Sequence, residues 1–239
     1  MSDNQIVYLK TGLPKEKYLT NIAWGPDEKS IYIAELNRDQ NECKLVRYNA
    51  ISGERETELF TEKNERDVVP QVPVRFLPHV PSRFIWESQR DGYNHIYLYD
   101  VSGKLIKQLT SGKWVVTRVH GFDEKGQHLF FSATAPYPGS PESEGNPMEV
   151  YTWQLNLKTN KLTCVSSKRC VHRVQISPSG LYAIDQTTSP FIPRDIDSIR
   201  VSDRRMMKSL ISASNPYKNY QMPDIKTGTI LAGDGQTPL

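Results

Sequence analysis

The sequence predicts an all-β fold, a partial β-propeller of about four four-stranded antiparallel blades. Three observations carry this expectation. Short apolar β runs recur, each closed by a turn bearing Gly or Asp. The whole unit repeats with a period of about fifty residues. Amphipathic helical periodicity is nearly absent. The unit is clearest in residues 82–114, SRFIWESQRDGYNHIYLYDVSGKLIKQLTSGKW. Its three runs are Phe84-Ile85-Trp86, Ile96-Tyr97-Leu98-Tyr99 and Leu105-Ile106-Lys107-Gln108-Leu109, separated by Arg90-Asp91-Gly92 and Asp100-Val101-Ser102-Gly103. β-Branched and aromatic residues suit a pleated, half-buried surface, and Gly and Asp supply the dihedrals of tight turns. The middle run is apolar on both faces, so both faces must be covered. Blades stacked radially on one another do this.

Four segments align by their turns: residues 23–60, 75–109, 120–165 and 175–211. Their late turns fall at Ser52-Gly53, Ser102-Gly103, Thr159-Asn160 and Asp203-Arg204, and leading strands are expected over 18–23, 72–76, 115–119 and 171–176. Residues 1–14 hold one unpartnered run, IVYLK, and read as the end of a preceding blade. The blades are then expected over 15–66, 67–112, 113–165 and 166–213, with a tail over 214–239. Residues 135–147, APYPGSPESEGNP, read as an exposed loop interrupting the third blade, and SPFIPRDI over 189–196 interrupts the fourth.

Composition excludes several classes. The 239 residues carry a net charge of +3 from interspersed Lys, Arg, Asp and Glu. No basic stripe supports nucleic-acid binding. No apolar run approaches the ~20 residues of a membrane-spanning helix, and Met1-Ser2-Asp3-Asn4 opens no signal-peptide pattern. Of the three cysteines, Cys164 and Cys170 flank a turn-like stretch. They read either as a disulfide of an oxidising compartment or as two separate buried thiols. No zinc-site spacing accompanies them apart from the nearby His172, so neither metal nor cofactor is expected.

YLTNIAW (18–24), AELNRDQN (34–41), RFIWESQRDGYNHIYLYD (83–100), LTSGKWVV (109–116) and YQMPDIKTGTILAGDGQT (220–237) resemble the propeller of dipeptidyl peptidase IV-type serine peptidases in their bacterial form. The likeness runs in order along almost the whole chain. It implies the second half of an eight-bladed propeller capping an α/β-hydrolase domain, with the tail leading toward that domain, which is absent here. It also implies a parent exopeptidase that removes N-terminal dipeptides with Pro or Ala second, placed in the periplasm or cell envelope.

The family's nucleophile sits in a G-W-S-Y-G-G elbow, and no G-x-S-x-G occurs here. None of the histidines His79, His95, His120, His128 and His172 has a serine partner in such an elbow, so no catalytic residue is expected in the chain. The family's paired Glu that binds the substrate amino terminus has no equivalent, and Glu142 and Glu144 lie in a polar loop. Arg75-Phe76-Leu77-Pro78 matches the family's R-F-x-P segment. By this resemblance Phe76 walls the substrate pocket, and Leu77 stands where some relatives carry a cation. The other reading of Phe76 is inter-blade core. Two function classes follow: a non-catalytic part of an exopeptidase that gates and positions peptides, or a stand-alone propeller acting as a protein-binding scaffold. Uncovered terminal blade faces further imply a homodimer.

Overall fold

In the computed structural model the described residues are 6–141, 143–221, 223 and 228–237. They form sixteen strands and no helix, arranged as four separate four-stranded antiparallel sheets. The first sheet holds β1 (Tyr18–Trp24), β2 (Ser30–Leu36), β3 (Glu42–Asn49) and β4 (Arg55–Lys63); the second holds β5 (Arg75–Leu77), β6 (Val80–Ser88), β7 (His95–Asp100) and β8 (Leu105–Gln108). The third holds β9 (Val116–Phe122), β10 (His128–Ala133), β11 (Tyr151–Asn156) and β12 (Leu162–Cys164). The fourth holds β13 (Val171–Ile176), β14 (Tyr182–Thr188), β15 (Asp195–Arg200) and β16 (Arg205–Ser212). Within each sheet the strands pair in sequence order. Four such up-and-down sheets are a partial β-propeller of four blades.

The two-faced middle strand explains the stacking. Along β7, Ile96 and Leu98 join a core shared with the third sheet, including Leu129, Phe131 and Trp153. The alternating Tyr97 and Tyr99 join a core shared with the first sheet, including Tyr32, Leu45 and Leu59. β10 repeats the device: Leu129 and Phe131 face the second sheet, while Phe130 packs with Val174, Ala183 and Ile199 of the fourth. Every second side chain goes to the opposite neighbour because the strand period is two.

The late turns set the spacing between blades. Gly103 adopts φ +89°, and a Cβ there would come within 2.1 Å of the Leu59 carbonyl oxygen on β4. Only a residue without a side chain fits both demands. Gly53, at the same turn of the first sheet, has φ +74°, and its Cβ would come within 2.2 Å of the Tyr8 carbonyl oxygen. Tyr8 therefore stands to the first blade as Leu59 stands to the second. Lys10 N–H donates to the Gly53 carbonyl at 2.8 Å, and Leu9 packs on Ile33, Val46 and Tyr48. Residues 6–12 carry no strand among the described residues, so the IVYLK run lies against the blade without pairing into it.

Two other expectations shift. The second blade begins later than residue 72, because Pro73 brings no N–H to a ladder and pairing starts at Arg75 opposite Ile85. The loop at 135–147 is partly buried: Ala135 is 3% exposed, the Tyr137 and Tyr151 rings lie 5.1 Å apart, and Gly145 N–H donates to the Lys113 carbonyl. Ala135 and Tyr137 join the core shared by the second and third blades. The tail at 228–237 forms a turn around Asp234; part of the tail expected over 214–239 lies outside the described residues.

Candidate functional site

The first strands of the second, third and fourth sheets converge. Arg75 from β5, Arg118 and His120 from β9, and Gln175 from β13 line one cavity of about 370 Å³. An adjoining cavity of about 730 Å³ shares Arg118, His120 and Gln175 and adds Arg173 and Thr117. These strands are thus the axis-facing edge of the arc. Their alternation decides what the axis sees: Val119 and Val174 turn into the blades, and Arg118, Arg173 and Gln175 turn out. No carboxylate lines either cavity, and Arg75, Arg118 and Arg173 have no ion-pair partner among the described residues. Burial, reinforced by the positive charge of Arg118 and Arg75, pushes the His120 imidazole down to about 4, so the ring is neutral at neutral pH.

His120 Nε2 lies 2.8 Å from Ser132 Oγ, a serine–histidine contact that sequence reasoning missed because the two residues face each other across β9 and β10. It is not a nucleophile pair. Ser132 sits in mid-strand, and no carboxylate orients the His120 ring among the described residues.

Phe76 is half-buried at the junction of the first two blades. Its ring meets Tyr32 edge-on at 5.1 Å and Phe84 at 5.8 Å. Leu77 points the other way, 8% exposed, into the core between the second and third blades. Glu144, from the polar loop, pairs with Lys113 at 2.6 Å; Glu142 lies outside the described residues.

The WESQRDGYNH block, which carries much of the sequence resemblance, does structural work that its spacing did not disclose. Trp86 Nε1–H donates to Glu62 of β4 at 3.1 Å, and the Arg90 guanidinium pairs with the same carboxylate while lying 4.4 Å over the Tyr97 ring. Asn94 Nδ2–H₂ donates to Glu87 and to the Val116 carbonyl, tying the second blade to the third. Burial pushes the Glu87 carboxyl up. His95 is fully buried and both ring nitrogens have partners. Nε2 donates to the Gly112 carbonyl at 2.9 Å, and Nδ1 lies 3.1 Å from Thr110 Oγ1. Thr110 Oγ1 in turn accepts from the Ile96 N–H. His128 braces a turn through Asp123 Oδ2 at 2.9 Å, and His79 reaches the Glu124 carbonyl.

All three cysteines are free and buried, so the Cys164–Cys170 disulfide is not formed. Burial pushes the Cys43 thiol up to about 12 and the Cys164 thiol up to about 11. Among the described residues no group of three or more His, Cys, Asp or Glu is placed to hold a metal ion.

An arc of four antiparallel blades, with a cationic axis-facing edge and no serine nucleophile constellation among its described residues, defines a propeller-domain segment. The pattern of the dipeptidyl peptidase IV (DPP IV) N-terminal region matches residues 1–194, and the chain belongs to that family. A crystal structure described as a dipeptidyl aminopeptidase IV from Bacteroides ovatus superposes with a TM-score of 0.84 at 37% identity, covering 97% of this chain and 34% of that one. Porphyromonas gingivalis dipeptidyl peptidase 4 shares the fold, with a TM-score of 0.70 at 22% identity over 85% of this chain and 27% of its own. The dipeptidyl peptidase 4 of Arthroderma otae is 22% identical over 95% of this chain and 29% of its own length. A mouse relative, inactive dipeptidyl peptidase 10, is 27% identical over 52% of this chain and 16% of its own. The chain thus spans about a third or less of these relatives.

Proposed function

We propose that this chain is the non-catalytic propeller segment of a dipeptidyl peptidase IV-like serine exopeptidase, gating and positioning peptides for an α/β-hydrolase domain of the same protein. The observation that carries this is the family match over residues 1–194 in a chain that spans 34% of the Bacteroides ovatus protein. The geometry supports the reading in two places. Tyr8 occupies, against the first blade, the place that an outer strand holds against the second, as expected of an arc continued by another blade. The axis-facing edge carries Arg75, Arg118, Arg173 and Gln175 with no carboxylate beside them, which suits a wet passage for peptides. Within this reading Phe76 supplies an aromatic wall to the pocket, and Leu77, anchored in the core, fixes its direction. The substrates are peptides with Pro or Ala second, and the setting is the periplasm or cell envelope of a bacterium.

Two measurements test this. Residues 1–239 alone are expected to release no dipeptide from an Ala-Pro chromogenic substrate, whereas the product of the whole reading frame cleaves it; cleavage by residues 1–239 alone refutes the assignment. The fourth blade also presents Met206, Met207, Leu210 and Ile211 of β16, each 47–56% exposed. In isolation the chain therefore self-associates, most simply as a two-fold homodimer. Light scattering over a micromolar dilution series is expected to show the dimer; a monomer at every concentration rules it out.

A further inference from the structure

Arg75, Arg118 and Arg173 stand along the axis-facing edge, one from each of three blades. Arg75 lines the smaller cavity, Arg173 the larger and Arg118 both, so the row runs across the two. Each occupies a ladder position with no acid opposite: Arg75 pairs with Ile85, Arg118 with Ser132 and Arg173 with Gln186. The cross-strand neighbour is where a sheet can place a compensating charge. Arginines elsewhere are compensated, since Arg47, Arg90 and Arg200 each hold a carboxylate. Glu87 feels the charge of Arg75, but it is buried, takes its hydrogen bond from Asn94 and makes no ion pair with the guanidinium.

Three features define what such a row holds. The first is charge. A cleft lined by one sign of charge focuses its field and draws in the opposite sign. His120 senses that field, because the positive charges of Arg118 and Arg75 reinforce burial in keeping its ring neutral. The second is extent. Cavities of about 370 and 730 Å³, served by cations on three separate strands, fit an extended chain with several charges better than one small anion. Guanidinium forks pair with carboxylates through two parallel hydrogen bonds. The third is the lining. Thr117, Gln175 and Gln186 offer hydroxyl and amide groups to a peptide backbone. Among the described residues no Phe, Tyr or Trp lines the larger cavity for bases to stack on, which disfavours nucleic acid.

We propose that Arg75, Arg118 and Arg173 form a docking track for the acidic side chains of a peptide, so that the passage selects acidic substrates. This rests on the reading of the axis as a route for peptides. The product of the whole reading frame is titrated against two dye-labelled, N-acetylated octapeptides, one with four Glu and the other with four Gln at the same positions. Acetylation removes the free amino terminus, so binding is read without cleavage. Fluorescence anisotropy is expected to show the Glu peptide bound at least about tenfold tighter at about 20 mM salt. That advantage shrinks below about threefold at about 500 mM, as the charges are screened. The double variant Arg118→Gln/Arg173→Gln is expected to bind the two peptides alike, within about threefold. Both side chains are exposed, so the blades do not depend on them for packing. Should the double variant not fold, each single variant is expected to lose about threefold of the advantage. Equal binding of the two peptides at low salt, or an advantage that survives these substitutions, overturns the proposal. So does tighter binding of a five-nucleotide thymidine strand, whose four phosphates match the four carboxylates. Cleavage of the Ala-Pro chromogenic substrate by the same preparation keeps the two readings apart. Cleavage without the Glu preference refutes the track alone. The Glu preference without cleavage supports the track and refutes the exopeptidase assignment.

Discussion

Asp185→Asn is expected to lower the stability of the chain by about 3–5 kcal/mol at pH 6, the cost of leaving one member of a buried ion pair without its partner. Asp185 is 2% exposed, and the His172 side chain is fully buried. The same pair gives a pH signature whose sign is fixed. The folded chain holds the His172 proton up to about 10, above the unfolded value near 6.5. Its contribution is fully present below about pH 6.5 and is lost as pH rises through about 10, because the folded state then binds more protons than the unfolded one. The slope is at most about 1.4 kcal/mol per pH unit. Urea titrations from pH 6 to pH 10 check this: the gap between the wild-type chain and Asp185→Asn closes toward high pH. A gap that is constant across the range shows that the pair contributes nothing through protonation.

Trp86→Ala is expected to cost about 3–5 kcal/mol, with a shift of about 2–4 °C in Tm per kcal/mol at this chain length. Trp86 is 2% exposed at the seam of the first two blades, where its ring meets Phe60 edge-on at 5.7 Å, and Phe60 in turn stacks on Tyr99 at 4.4 Å. Removal leaves a cavity and also takes a donor from Glu62, which then faces Arg90 alone. Trp86→Phe keeps most of the packing and loses only the indole hydrogen bond, so about 1 kcal/mol is expected. Thermal melts of both variants separate the packing cost from the polar one. Equal losses in the two would place the energy in the hydrogen bond instead.

Much of this was legible in the sequence, for reasons that individual residues make plain. Turns were readable because their chemistry is local: Gly103 and Asp100 define the late turn of the second blade by themselves, with Asp100 Oδ1 accepting from the Ser102 and Lys104 N–H groups. Radial stacking was readable from β7, since a strand with Ile96 and Leu98 on one face and Tyr97 and Tyr99 on the other has no solvent side. What stayed hidden was long-range polar pairing. Glu62 and Arg90 lie 28 residues apart, and nothing in either neighbourhood marks the other. The axis-facing cations were hidden for the same reason: Arg75, Arg118 and Arg173 are single charges on three strands, and only stacking gathers them. Cys170 and His172 were visible as neighbours, but Asp185, which pairs with the His172 ring, comes from the next strand.

The central claim is that these blades shape access to a serine nucleophile carried elsewhere in the parent protein. A fluorophosphonate probe tests it most directly, because it reacts only where nucleophile, base and oxyanion donors are assembled. Applied to the product of the whole reading frame and mapped by peptide mass, the label is expected on one serine outside residues 1–239, with none on residues 1–239 produced alone. Stoichiometric labelling of any serine within residues 1–239 would contradict the account.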